Sequence, residues 1–243
     1  MLSFMLALGL ATTTADINKE LQSFADSYQT DALREDINFG IKVDGKEWTV
    51  ESKHGSVRLL EGAPASPTFV YVLDHDTLQR VASGQFSGLT AMGKARAGDP
   101  SPMQLESMDG FKPGDDFKAQ FLSVTSHFWA KGDPEILKFG FDHARTVHGG
   151  EAVPVFYAPG IRTAWYGLLP GQHINQSPQD QKNDFDSVFM VIKGGTARMK
   201  IGGKELPLES GSSIHVRTGV THEFWNPGTE PAELVMIAFG EGA

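Results

Sequence analysis

His222 is the residue on which chemistry in this chain would turn. It stands two positions before Phe224, so in an extended strand both side chains leave the same face. Imidazole changes protonation near neutrality, and at such a position it reads as an inward-facing ligand, a polar anchor or a general base. His173 and Asp186 are the upstream groups that could join it, while Arg217 offers either an anion contact or a surface charge. The remaining histidines, His54, His75, His127, His143 and His148, show no ligand spacing and read as structural or surface groups. The chain has no cysteine, which excludes disulfides, thiolate nucleophiles, zinc–thiolate sites and iron–sulfur clusters. It also has no glycine-rich phosphate loop, no His-Glu-x-x-His helix, no Gly-x-Ser-x-Gly elbow and no dinucleotide fingerprint. Asn175-Gln176-Ser177 matches a glycosylation acceptor, which matters only in a secreted chain.

The elements that must position these groups fall into two kinds. From Asp16, Ile17, Leu21, Phe24 and Tyr28 recur at helical spacing, ending near Asp31. Thr13 to Asp16 has the spacing of a capping box. The period then becomes two: Ile37, Phe39, Ile41 and Val43 alternate with polar residues up to Asp44-Gly45, a pair suited to the positive φ angles of a tight hairpin. A return strand runs through Trp48 and Val50, with further strands at 56–60 and 68–73 and a short helix over 76–82. Phe117, Phe121, Val124 and Phe128 put an aromatic stripe on one helical face, expected to pack between two domains, before the breaker cluster Lys131-Gly132-Asp133-Pro134. After Val147 the helical period vanishes. Strands are expected at 153–157, 163–169, 187–193, 196–201, 205–208, 212–216, 222–225 and 232–239, which together suggest a sandwich or barrel.

With 243 residues, 40% of them apolar and 21% charged, the chain suits one large or two modest globular domains. The net charge of −9 divides evenly, −5 over residues 1–112 and −4 over 113–243. No cationic footprint is present to release counterions, so nucleic acid and anionic lipid are disfavoured as partners. The apolar stretch Met1 to Ala11 lacks the basic residues of a secretory n-region and is shorter than a membrane span. It reads as a packed helix or a frayed start in preference to a cleaved signal, which makes the cytoplasm the default location, without integral membrane association.

The run from about Asp16 to Met108 resembles the sterol-carrier-protein type of lipid-binding domain. The resemblance rests on Ile37 to Gly45 with Trp48-Thr49-Val50, on Asp74 to Leu78 opening a helix that closes on Ser83-Gly84-Gln85, on Ser87 to Met92, and on a strand over Gly93 to Gly98. It implies an α+β domain over 1–112: a five-stranded sheet covered by helices around an apolar tunnel for a fatty acyl chain, sterol or similar molecule. Burying such a ligand releases about 25 cal/mol per Å² of apolar area. Phe39, Ile41, Trp48, Val72, Leu78 and Met103 are the candidate lining, although burial in a core explains them equally well.

After a helical linker over 113–143, residues 144–243 resemble a cupin, an all-β double-stranded β-helix barrel. Gly211, Gly219, His222 and Asn226 stand at the spacing of the second cupin motif, with Arg217 in its proline slot. Gly171 and the strand Val188 to Gly194 resemble the first motif. Cupin metals are held by two histidines and a glutamate of that motif plus the histidine of the second, a set suiting iron, manganese, nickel or zinc. Here, counting forward from Gly171 puts Ser177 and Gln179 in the histidine slots. Counting back from Gly194 puts Gln181 and Asn183 there, with Ser187 in the glutamate slot beside Asp186. Neither alignment gives a histidine pair.

Two functions of different kind follow. In the first, the N-terminal domain binds a hydrophobic small molecule, and a metal-free cupin serves as a ligand-binding or dimerisation module, pairing two copies. His173, Arg217 and Phe224 are its candidate ligand contacts, and no cofactor is expected. In the second, a lyase, isomerase or dioxygenase acts on a hydrophobic or aromatic substrate. His222 then serves as ligand or base with Asp186, or His173, Asp186 and His222 hold a divalent transition metal. The second requires those three side chains to converge.

Overall fold

The computed structural model describes residues 14–94, 98–130 and 136–243. The apolar start, Thr13 of the capping box and the breaker cluster 131–134 lie outside these residues.

Alternation and helical period build the N-terminal half as a helix-covered sheet. Its elements are α1 (Thr14–Gln29), β1 (Asn38–Val43), β2 (Lys46–Lys53), β3 (Ser56–Glu61), β4 (Phe69–Leu73), α2 (His75–Ala82), α3 (Gly88–Met92), β5 (Met103–Ser107) and α4 (Phe117–Phe128). The sheet order is β3-β2-β1-β4-β5, with β1 and β4 parallel and the other neighbours antiparallel. Asp44 and Gly45 turn the first hairpin with φ of 48° and 81°. Two helices start on side-chain caps: Asp74 accepts from the Thr77 N–H, and Ser87 accepts from the Thr90 N–H. The strand expected over 93–98 is not formed by its described residues. Gly93 closes α3, and the fifth strand begins only at Met103.

One face of this sheet carries the core. Ile41 lies opposite Trp48, Phe39 opposite Val50 and Leu73 opposite Met103, all buried together with Leu78 of α2. The Phe39 ring meets those of Phe69, Tyr71 and Phe128 at 5.0–5.7 Å. The aromatic stripe of α4 therefore packs into this core, against Phe24, Tyr28 and Phe39, instead of only bridging two domains. Val72 is a correction to the expected lining. It alternates with the buried Tyr71 and Leu73, so it belongs to the opposite face and is only half-buried.

The C-terminal half is two facing sheets. Its strands are β6 (Arg145–Val147), β7 (Gly150–Ala158), β8 (Ile161–Leu168), β9 (His173–Ile174), β10 (Asp186–Lys193), β11 (Arg198–Ile201), β12 (Lys204–Pro207), β13 (Ser213–Val216), β14 (His222–Trp225) and β15 (Ala232–Phe239). The order is β13-β10-β15-β8-β7-β6 in the larger sheet and β12-β11-β14-β9 in the smaller. Inward residues of both sheets, among them Leu168, Phe189, Val191, Met199, Phe224 and Leu234, form a second core.

The two halves are fastened together. Arg145 donates from Nε to the Thr90 carbonyl at 2.9 Å and from a terminal nitrogen to the Gly93 carbonyl. His143 Nδ1 donates to the Gln85 carbonyl at 2.6 Å. Phe141 lies edge-on to Trp165, 5.0 Å between centroids. No described helix is long and apolar enough to cross a membrane.

Candidate functional site

The two sheets of the C-terminal half line a partly open cavity of about 100 Å³, well below the several hundred of a drug-sized pocket. Strand parity decides what reaches it. On β8, Arg162 and Tyr166 point inward on the same parity as Ala164 and Leu168, and on β15 Leu234 and Met236 do likewise. On β14, His222 and Phe224 point inward, and Phe224 pairs with Ile174 of β9. The polar lining is His148, Arg162, Tyr166, Asn175, Asn183 and His222, and Ile174, Phe185, Phe189, Phe224, Leu234 and Met236 supply the apolar part.

His222 is 2% exposed. Its Nδ1 lies 3.2 Å from the Val220 carbonyl, which can only accept, so the ring proton sits on Nδ1. Nε2 then accepts from the Asn183 amide at 3.5 Å. Burial holds the imidazole below its ordinary value of 6.5, with neighbouring His148 adding to the effect and the Val220 hydrogen bond opposing it. The ring packs 5.9 Å from Phe189 and 6.0 Å from Phe224. Tyr166 is pushed up from 10.0 by burial, against the pull of the Arg162 charge.

Arg162 enters the cavity stacked 4.6 Å over the Phe185 ring and 5.4 Å from that of Tyr157. One terminal nitrogen donates to the Gly242 carbonyl at 3.1 Å, and its buried Nε has no hydrogen-bond partner among the described residues.

The expected site residues divide. His222 and Phe224 line the cavity. His173 does not turn into the barrel: it pairs with Trp225 on the outer parity, its Nε2 donating to Glu223 Oε2 at 2.9 Å, and Lys200 reaches the other Glu223 oxygen at 3.4 Å. Asp186 also faces outward, opposite Phe239 on β15. There its carboxylate accepts from the Thr218 N–H at 2.8 Å, the Thr218 hydroxyl at 2.9 Å and His215 Nε2 at 3.0 Å. Those bonds, led by the two from Thr218, lower its pKa. Arg217 is exposed in the turn before β14, away from the cavity. His173, Asp186 and His222 therefore do not converge.

Several groups of the site, His148 and Arg162 among them, escape a reading of the sequence. His148 reads there as a structural or surface residue, yet it and Gly149 form the two-residue turn between β6 and β7, with φ of 58° and 84°, and its ring lines the cavity. Arg162 belongs to a strand whose two parities both carry aromatic residues, Tyr166 inward and Trp165 outward. Its parity with Tyr166 and Leu168 is the signal that could have found it.

A divalent transition metal does not fit this donor set. The cavity offers two imidazoles, two amides and a phenol, its lining includes no carboxylate, and it adds a guanidinium whose charge opposes a cation. No group of three His, Asp or Glu gathers as a metal site among the described residues. At the expected ligand positions stand Asn183, on the cavity wall, and Ser187, fully buried on the inner parity of β10.

No curated protein matches the chain. Its fold is similar to the plu4264 protein from Photorhabdus luminescens, at 17% identity over 43% of this chain and 87% of that one, with a TM-score of 0.38. It is similar also to the TT1209 protein from Thermus thermophilus, at 24% identity over 38% and 84%, TM-score 0.34. A third similar structure is a cupin 2 conserved barrel domain protein from Salinispora arenicola, at 16% identity over 45% and 91%, TM-score 0.39. Residues 166–238 match the family model of the cupin domain, and the cavity-bearing barrel is a cupin domain.

Proposed function

We propose that the protein binds small molecules, with the barrel cavity as a metal-free receptor for a compact ligand. The observation that carries this reading is the mixed lining: polar groups gathered around one partly open cavity against Phe189, Phe224, Leu234 and Met236. Native mass spectrometry of the protein as purified, with elemental analysis, tests it. A co-purified small molecule without stoichiometric metal is expected; one transition-metal ion per chain would overturn the metal-free reading.

The N-terminal half completes the proposal as a sterol-carrier-like module for a hydrophobic guest. Its support is the five-stranded sheet with four helices. A guest on the inner face must displace the rings around Phe39, so binding there would require the helices to open. Pairing of two copies through the barrel is also proposed. Met190, Ile192 and Phe239 stand exposed on the outer parity of β10 and β15, a face apolar enough to take a second copy. Sedimentation of Ile192→Asp beside the wild type tests it: a dimer that becomes a monomer supports pairing, and a monomeric wild type refutes it.

A second reading is favoured by one observation. The fixed Nδ1 proton leaves the Nε2 lone pair of a neutral, buried His222 at the cavity wall, which is the state of a general base. It predicts that His222→Gln abolishes turnover of a substrate while leaving its binding intact.

A further inference from the structure

We infer that the barrel cavity selects compact monocarboxylates with an apolar body, Arg162 supplying the charge that recognises them; this rests on the small-molecule reading above. The first observation is electrostatic. On a chain of net charge −9, the cavity lining holds one guanidinium and no carboxylate, and no described residue forms an ion pair with Arg162. A guanidinium without a counter-ion at the cavity wall is a ready partner for an anionic guest.

The second observation is a pair of donors. Ser187, Ala238 and Arg162 lie side by side across β10, β15 and β8 on the inner parity of the sheet. Ser187 is wholly buried, and neither its hydroxyl nor Arg162 Nε has a hydrogen-bond partner among the described residues. Adjacent strands are about 4.8 Å apart, so the two backbones stand roughly 10 Å from one another. Only the methyl of Ala238 stands between them on this face. A carboxylate has two oxygens and can accept from both sides, as a neutral amide cannot with equal strength. One cation matches one negative charge, which disfavours dianions. The apolar wall of Phe189, Phe224, Leu234 and Met236 takes the rest of the molecule.

The test uses acetate, butyrate and benzoate, each against its primary amide, with inorganic phosphate as a dianionic control. Calorimetry gives affinities, and methyl NMR signals of Ile174, Leu234 and Met236 locate binding. At least one carboxylate is expected to bind tenfold or more tighter than its amide, with phosphate failing to displace it. Arg162→Gln should bring acid and amide within about twofold, Arg162→Lys should restore part of the preference, and Ser187→Ala should weaken the acid alone. If Arg162→Gln does not fold, the Lys and Ser187 variants decide. Equal binding of acid and amide at the cavity methyls overturns the inference and leaves the small-molecule reading standing. No methyl response to any probe overturns both.

Discussion

The Nε2 of His222 stands 3.5 Å from the side-chain amide nitrogen of Asn183, with Nδ1 committed to the Val220 carbonyl. The ring is thereby held in one tautomer and, by burial, in its neutral form.

That state makes stability depend on pH. The folded pKa lies below 6.5, so as pH falls through 6.5 the unfolded chain takes up a proton that the folded chain refuses. The His222 contribution is complete above that value and is lost on acidification until the folded group itself titrates. The slope approaches at most about 1.4 kcal/mol per pH unit. Urea denaturation of wild type and His222→Gln between pH 7.5 and 5 should show a flatter profile for the variant.

The turn that delivers His148 has no room for a side chain at its second residue. A Cβ on Gly149 would lie 2.2 Å from the His173 carbonyl oxygen, at a φ of 84°. Gly149→Ala should cost about 1–3 kcal/mol in stability from the backbone strain alone. It should also shift the His148 and Ile174 NMR signals, because β9 must move away.

Asp186 ties the turn after β13 from the outer face of the barrel. Asp186→Ala should accelerate hydrogen exchange at the Thr218 amide, which donates to it at 2.8 Å. Small-molecule affinity of the cavity should stay unchanged; a loss would place Asp186 back among the functional residues.

Arg145 is one fastening between the halves. Its two bonds to the Thr90 and Gly93 carbonyls are charge-assisted, and such bonds contribute about 1.5–3 kcal/mol each. Arg145→Gln should lower the unfolding free energy by the worth of one to two such bonds, roughly 1.5–6 kcal/mol, and raise hydrogen exchange across 88–93, while leaving the barrel core protected.

Much of the architecture was legible because alternation and turn chemistry are local. Asp44-Gly45 makes the expected turn, and all eight strands expected after residue 150 are present within a few residues of their bounds. The strands missed, β6 and β9, have three and two residues, too short to show a period. The site was less legible because strand parity was ambiguous. On β10, Asp186, Val188, Met190 and Ile192 look as apolar as Ser187, Phe189 and Val191, and only pairing with β15 shows which set faces inward. His148 sits in a turn, where no period exists to aim it.

Trp165 shows what the join between the halves demands. It projects from the outer parity of β8, opposite Val235, yet it is fully buried, with Phe141 against its ring. Phe141 thus covers the barrel on that side, and His143 ties the same segment to the Gln85 carbonyl. A fragment begun at residue 144 would leave a bare indole on its surface, and it would be expected to self-associate or precipitate even with every cavity residue in place.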